Sequence, residues 1–202
     1  MSVTFSKIGR WIAELLLVFV GVYAAFWLNN FQQHQQEAKR HDQILASLER
    51  LLEEGIANTK SQGAKVDREV AEFQGAVQAG EMPPLRPFTF TTDYSASDFA
   101  TLLQSGGIEL LNVKTLTTLR DLESVIRWGL SRMAHYQKLS DELIVPNLDQ
   151  ENAFFYEPTG KELRKRFAFY AEALQAELNF FHDLEKAQSD LLTQIQAERQ
   201  RH

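Results

Sequence analysis

The sequence predicts an all-α protein in which an N-terminal transmembrane helix continues into an elongated antiparallel helical bundle. Three observations carry this. From Trp11 to Leu28 the chain reads WIAELLLVFVGVYAAFWL, eighteen residues with Glu14 as the single charge. After Asn30, apolar residues recur three and four apart along long stretches, the period of an amphipathic helix. Three of the five prolines fall between Pro83 and Pro87, so most of the chain is free of helix breakers.

Composition sets the outer bounds. With 44% apolar and 24% charged residues the chain has the makeup of a folded protein, which excludes wholesale disorder. Its 27 acidic residues outnumber its 21 Lys and Arg, a formal charge of −6, so no surplus of cations exists to neutralise a nucleic-acid backbone. With no cysteine among its 202 residues, disulfide frameworks, thiolate zinc sites and cysteine nucleophiles are excluded together.

The first element is the candidate anchor, residues 11–31, preceded by a short cytoplasmic N-terminus, residues 1–10. Eighteen residues at ~1.5 Å each nearly span a hydrocarbon layer of ~30 Å. Trp11 and Trp27 sit near its two ends, where indoles favour the headgroup layers, and Asn29 and Asn30 close it on the polar side. Lys7 and Arg10 precede the span and no charge follows until Glu37, which orients the N-terminus to the cytoplasm. Only about ten residues precede the span, too few for an output domain. A cleaved signal peptide competes, because Val22-Tyr23-Ala24 resembles a cleavage site, but Glu14 interrupts its apolar region and apolar character continues through Phe31. Glu14 can meet Arg10 one turn earlier while both reach the interface. It also shares a helix face with Val18, Gly21 and Ala25, and the Gly21-x-x-x-Ala25 spacing allows two helices close approach. Glu14, Gly21 and Ala25 are therefore the candidate residues for helix association in the membrane.

The second element is a long juxtamembrane helix over residues 32–80. Ile44, Leu48, Leu51, Leu52 and Ile56, then Val66, Val70, Phe73 and Val77, form its stripe, and Gly80 before the proline run ends it. The same stripe, near a heptad repeat, is expected to pair in register with a second copy as a parallel coiled coil. Residues 81–202 supply the rest of the bundle, with loops near 81–94, 105–112 and 146–160. Phe88-Thr89-Phe90-Thr91 alternates as a brief extended piece. A short helix opens at Ser97 and runs to Leu103, closed by Ser105-Gly106-Gly107. A further helix begins near Lys114, carries Leu116, Leu119, Leu122, Ile126, Leu130, Met133 and Tyr136 on one side, and stops at Pro146. The last runs from Lys161 to about Gln200 on a stripe that includes Leu163, Phe167, Tyr170, Leu174 and Leu191.

Two family resemblances attach to the anchor. Gly9 followed by Glu14 and LLLVFVGVYAA resembles the N-terminus of a type IV prepilin, but Arg10 stands where pilins carry a hydrophobic residue. Sustained helical periods after Tyr94 also differ from the sheet that follows a pilin's first helix. The closer resemblance is to bacterial proteins grouped as a domain of unknown function, whose anchor reads E-I-L-L-I-V-x-G-I-L-I-A-L-x-x-N-N-W. Glu14, Leu16, Val18, Gly21, Ala25, Asn29, Asn30 and Phe31 fall in that register. Leu103-Gln104-Ser105-Gly106 and Asn112 resemble a second segment of those proteins. The resemblance implies an architecture and a bacterial inner-membrane location, and brings no activity with it.

Searches for chemistry return little. His34, Glu37 and His41 share a helix face at a spacing open to a metal, but Gln and Lys crowd them and no further ligand is evident. No His has a Glu three residues before it, which excludes a di-iron motif. Pro158-Thr159-Gly160-Lys161-Glu162 lacks the first glycine and the Ser or Thr of a phosphate loop. No catalytic motif, cofactor or metal site is assigned. Phe154, Phe155 and Tyr156, with the basic Arg164, Lys165 and Arg166, form a candidate partner-docking patch for an acidic partner or anionic lipid, or else cap the core. The expected function is a membrane-anchored periplasmic scaffold or accessory subunit, a homo-oligomer or part of a larger membrane complex. The alternative is a periplasmic sensor or ligand-binding bundle, which would need a polar pocket between helices; a pilin-like subunit stands third.

Overall fold

The computed structural model describes residues 4–89, 111–158 and 162–201, with side chains from residue 19 onward. The described residues are all-helical, built on three long helices: α1 (Thr4–Gln78), α2 (Val113–Leu143) and α3 (Phe169–Arg199). Short 3-10 turns lie at Val145–Asn147, Asn152–Phe155 and Lys165–Phe167. Among the described residues there is no strand, only an isolated bridge between Tyr156 and Leu163.

The expected anchor and juxtamembrane helix form one continuous rod of 75 residues, ~110 Å long at ~1.5 Å per residue. Its end near Gly80 is as the sequence reads. Gly80 takes the left-handed φ of 79° that closes a helix without a Cβ penalty. Its N–H donates to the Val77 carbonyl at 3.0 Å and that of Glu81 donates to Ala76 at 2.9 Å, a Schellman closure. The proline segment then straps across the bundle end, burying Leu85 and Phe88. Side chains pin it: the Tyr156 hydroxyl donates to the Pro83 carbonyl at 2.7 Å, and the Phe88 N–H donates to Ser140 Oγ at 2.7 Å. Residues 81–89 form no strand, and Phe90 and Thr91 lie outside the described residues, as does the short helix expected at Ser97–Leu103.

Asn112 caps α2 by accepting the Thr115 N–H at 2.8 Å, and the helix stops three residues before Pro146, close to both expected boundaries. The start of α3 differs from expectation. The helix opens at Phe169 and not near Lys161, because residues 162–168 pair back on the preceding turn. The N–H of Glu157 donates to the Glu162 carbonyl at 2.8 Å, and that of Arg164 to the Phe155 carbonyl at 3.0 Å. Phe167 is thereby driven fully into the core. Tertiary pairing overrides a helix-compatible stripe here.

α3 lies between the other two and runs antiparallel to both. Along α1, His41 meets Glu198, Thr59 meets Gln188 and Phe73 meets Tyr170. Along α2, Thr115 meets Glu198 and Tyr136 meets Glu172. The core has two parts, a cluster of Leu45, Leu48, Leu52, Leu119, Leu184, Leu191 and Ile195 near residue 41, and an aromatic-rich cluster around Tyr156, Phe167 and Tyr170 at the far end. Every buried side-chain nitrogen and oxygen among the described residues has a hydrogen-bond partner.

One expectation is corrected by this packing. The apolar stripe from Ile44 to Val70 is buried against the chain's own helices, so it is not free to form a parallel coiled coil with a second copy. No helix of the described residues is long and apolar enough to cross a membrane. What the described part of α1 does present is a stretch from Phe19 to Arg40 exposed at every position, with burial starting at His41.

Candidate functional site

Two regions stand out: the free N-terminal part of α1, and the polar cluster where α1 enters the bundle.

On the free part, Phe19, Val20, Val22, Tyr23, Phe26, Trp27, Leu28 and Phe31 are large apolar side chains that are 49–76% exposed. At ~100° per residue these positions cover about two thirds of the helix circumference, leaving only the sector of Gly21, Ala25 and Asn29, a far broader face than the single stripe of a helix that docks on a core. Trp27 and Phe31 stack on one another with ring centroids 5.8 Å apart and planes 15° from parallel. A Cβ at Gly21 would meet nothing within 4 Å, so the chain's own packing gives no reason for glycine there. Ala25, Asn29 and Asn30 are exposed as well. The side chains of Lys7, Arg10, Trp11 and Glu14 lie outside the described residues.

Ten residues on, the exposed helix meets a buried carboxylate. Glu198 of α3 is 2% exposed and sits against the start of α2. Its Oε1 accepts from His41 Nε2 at 3.0 Å and from the N–H of Asn112 at 3.0 Å, while Oε2 accepts the hydroxyl of Thr115. A carboxylate only accepts, so His41 donates from Nε2. Beside it on the outer surface, Arg199 Nε donates to Asp42 at 2.7 Å and its Nη1 to Glu49 at 2.9 Å. This constellation was hidden in the sequence. The available signals were the Asn112-x-x-Thr115 cap and the fact that Glu198 continues the apolar series Leu191 and Ile195 at helical spacing.

The remaining candidates separate. His34 and Glu37 are exposed with 3.8 Å between them, while His41 is turned to Glu198, so the three do not converge. No group of three or more His, Asp or Glu among the described residues is placed to hold a metal. The docking patch is corrected in part: Phe155 and Tyr156 are buried in the far-end core, Phe155 edge-on to Phe167, so they present no surface. Half-buried Phe154 is covered by the guanidinium groups of Arg164 at 5.4 Å and Arg166 at 4.8 Å, and Lys165 is exposed. Burial also pushes the Tyr156 phenol up to about 12, with Tyr170 adding to it.

Further along the α1–α3 seam, burial first and then the Glu69 carboxylate raise Glu177 to about 7. An open groove of about 230 Å³ runs nearby, lined by Glu69, Phe73, Pro83, Arg86, Tyr170 and Leu174. Arg86 pairs with Glu69 at 3.6 Å and Tyr170 accepts the Arg86 N–H, so these three groups are committed to the fold. No family profile, curated protein or solved structure matches the chain.

Proposed function

We propose that the chain is a single-pass, membrane-anchored helical scaffold or accessory subunit. The observation that carries this reading is the exposure of large apolar side chains around about two thirds of α1 from Phe19 to Phe31. Leaving eight such groups in water costs on the order of 10–20 kcal/mol, at ~1.5–3 kcal/mol for each large apolar side chain. A lipid environment removes that cost over the whole of this broad face at once, which a single docked partner helix does not. The sequence extends the apolar stretch back to Trp11, giving a run long enough to span. Lys7 and Arg10 ahead of it support an N-terminus in the cytoplasm and a bundle in the periplasm of a bacterial inner membrane. The resemblance of the anchor to the single-anchor family belongs to the same proposal. So does self-association through Gly21 and Ala25, with Glu14 on the same face.

A scaffold is favoured over a ligand-binding sensor because the core is packed with apolar side chains, its buried polar groups are hydrogen-bonded, and the grooves along it are open. The absence of strands among the described residues speaks against the pilin-like reading.

The experiment is fractionation of the full chain and of a chain starting at Gln32. The full chain should stay in the membrane pellet after an alkaline carbonate wash, and the shortened chain should be released. Release of both by the wash would sink the anchor. A periplasmic reporter fused after His202 should be active; activity only for a cytoplasmic reporter would invert the orientation.

A further inference from the structure

The two ends of the bundle are closed by different physics. At the far end Tyr156 and Phe167 are fully buried, Phe155 is nearly so, and the strap carrying Leu85 and Phe88 covers them. That end is sealed by aromatic packing. At the end where α1 enters, buried polar contacts sit beside Leu111 and Leu45 and converge on one side chain. Glu198 receives a donor from α1 (His41), one from the residue preceding α2 (Asn112) and one from the first turn of α2 (Thr115). A carboxylate there also meets the positive end of the α2 dipole. The flanking Arg199 pairs with Asp42 and Glu49 lie on the surface, where solvent leaves such pairs weak.

We infer that Glu198 is a latch: it holds the entry end of the bundle shut, and that end opens as a local unit, without loss of the aromatic far end, when the latch is broken. The unit comprises the stem of α1 from His41 to Leu52, the first turns of α2 and the last turns of α3. Hydrogen-bonded polar networks are costly to leave half-satisfied, so removing one partner strands the others in a site that excludes water. Because α1 leaves the bundle at this point, a pull or twist on residues 19–40 is carried along the same helix to His41 and the latch. The inference holds whatever covers Phe19–Phe31.

Hydrogen–deuterium exchange of the full chain in detergent micelles tests it. Glu198→Gln keeps the shape but turns an NH2 donor toward donors; Thr115→Val removes one donor isosterically; Thr59→Val, at the separate mid-bundle contact to Gln188, is the control. Both latch variants should speed exchange at least tenfold in 44–52, 115–122 and 191–198, with less than a twofold change in 170–178. Thr59→Val should not reproduce that pattern. Unchanged exchange at the entry end in both variants, or equal acceleration at both ends, overturns the latch. If Glu198→Gln fails to fold, Thr115→Val and His41→Gln read the same segments, and loss of the far end in all three also overturns it.

Discussion

Gly129→Ala is a substitution that ordinary helix propensity says should stabilise and that this fold says should not. Replacing a mid-helix glycine by alanine gains ~1 kcal/mol in a free helix. At Gly129 a Cβ would lie 2.1 Å from both Cδ2 and Cε2 of Phe180 and 3.0 Å from its Cγ. The ring has nowhere to retreat, because Phe180 is 2% exposed, belongs to the cluster of Leu122 and Leu184, and sits 5.7 Å from the Phe181 ring. Overpacking of this kind costs ~1–3 kcal/mol, and an overlap with most of one ring edge belongs at or beyond the upper end. After the propensity gain the net loss is about 2 kcal/mol, or a fall in Tm of roughly 4–8 °C for a chain of this size. The assay is thermal melting followed by circular dichroism, run beside Gly75→Ala, where a Cβ meets nothing within 4 Å and the melting point should rise by roughly 2–4 °C. Adding Phe180→Leu to Gly129→Ala should recover part of the loss. A Gly129→Ala protein that melts at or above the parent would refute the close packing of α2 on α3.

Glu177 supplies a pH prediction. Its carboxyl is raised from 4.5 to about 7 in the fold, so the folded chain holds a proton that the unfolded chain releases, and stability is lost as pH rises from about 4.5 through about 7. Glu177→Gln should match the parent near pH 4.5 and exceed it by about 1–2 kcal/mol at pH 8, after discounting for partial exposure; a difference that does not vary with pH contradicts this. The Thr59 hydroxyl donates to Gln188 Oε1 at 2.9 Å in the middle of the bundle. Thr59→Val should cost ~1–3 kcal/mol in urea unfolding, and the pair Thr59→Val with Gln188→Leu should recover part of that, a recovery whose absence would show the contact to be incidental. In membranes, Gly21→Leu or Ala25→Leu should weaken cross-linking of the full chain while a chain from Gln32 stays folded; unchanged cross-linking leaves the segment as an anchor only.

Much of the fold was legible because its boundaries rest on local chemistry. Gly80 before a proline run, Asn112 ahead of an apolar stripe, and Pro146 after one each act within a few residues, and each sits within three residues of a helix end in the structure. The start of α3 was not, because Leu163 and Phe167 satisfy a helical period while the chain around them is held by Tyr156 and Phe155 through backbone pairing. The stripe on α1 was read correctly as an apolar face, but periodicity does not say whether the face meets the same chain or another copy. α3, which begins about 90 residues after α1 ends, takes it. The latch escaped for a related reason: Glu198 is a polar member of an apolar series, and only the approach of His41 and Thr115 from two other helices shows why it is tolerated. Phe155 and Tyr156 could have been surface or core from sequence alone, and their burial beneath the strap decides it.

The central claim is that α1 from Phe19 to Phe31 lies in lipid, and the chain's lack of cysteine makes it directly measurable. Single cysteines at Val20, Val22, Phe26, Gln33 and Glu37 can be challenged with a membrane-impermeant maleimide added to the periplasmic side of intact cells. Anchoring predicts that Gln33 and Glu37 positions react while Val20, Val22 and Phe26 positions stay protected until detergent is added. Equal labelling of all five without detergent would place the segment in water and contradict the claim.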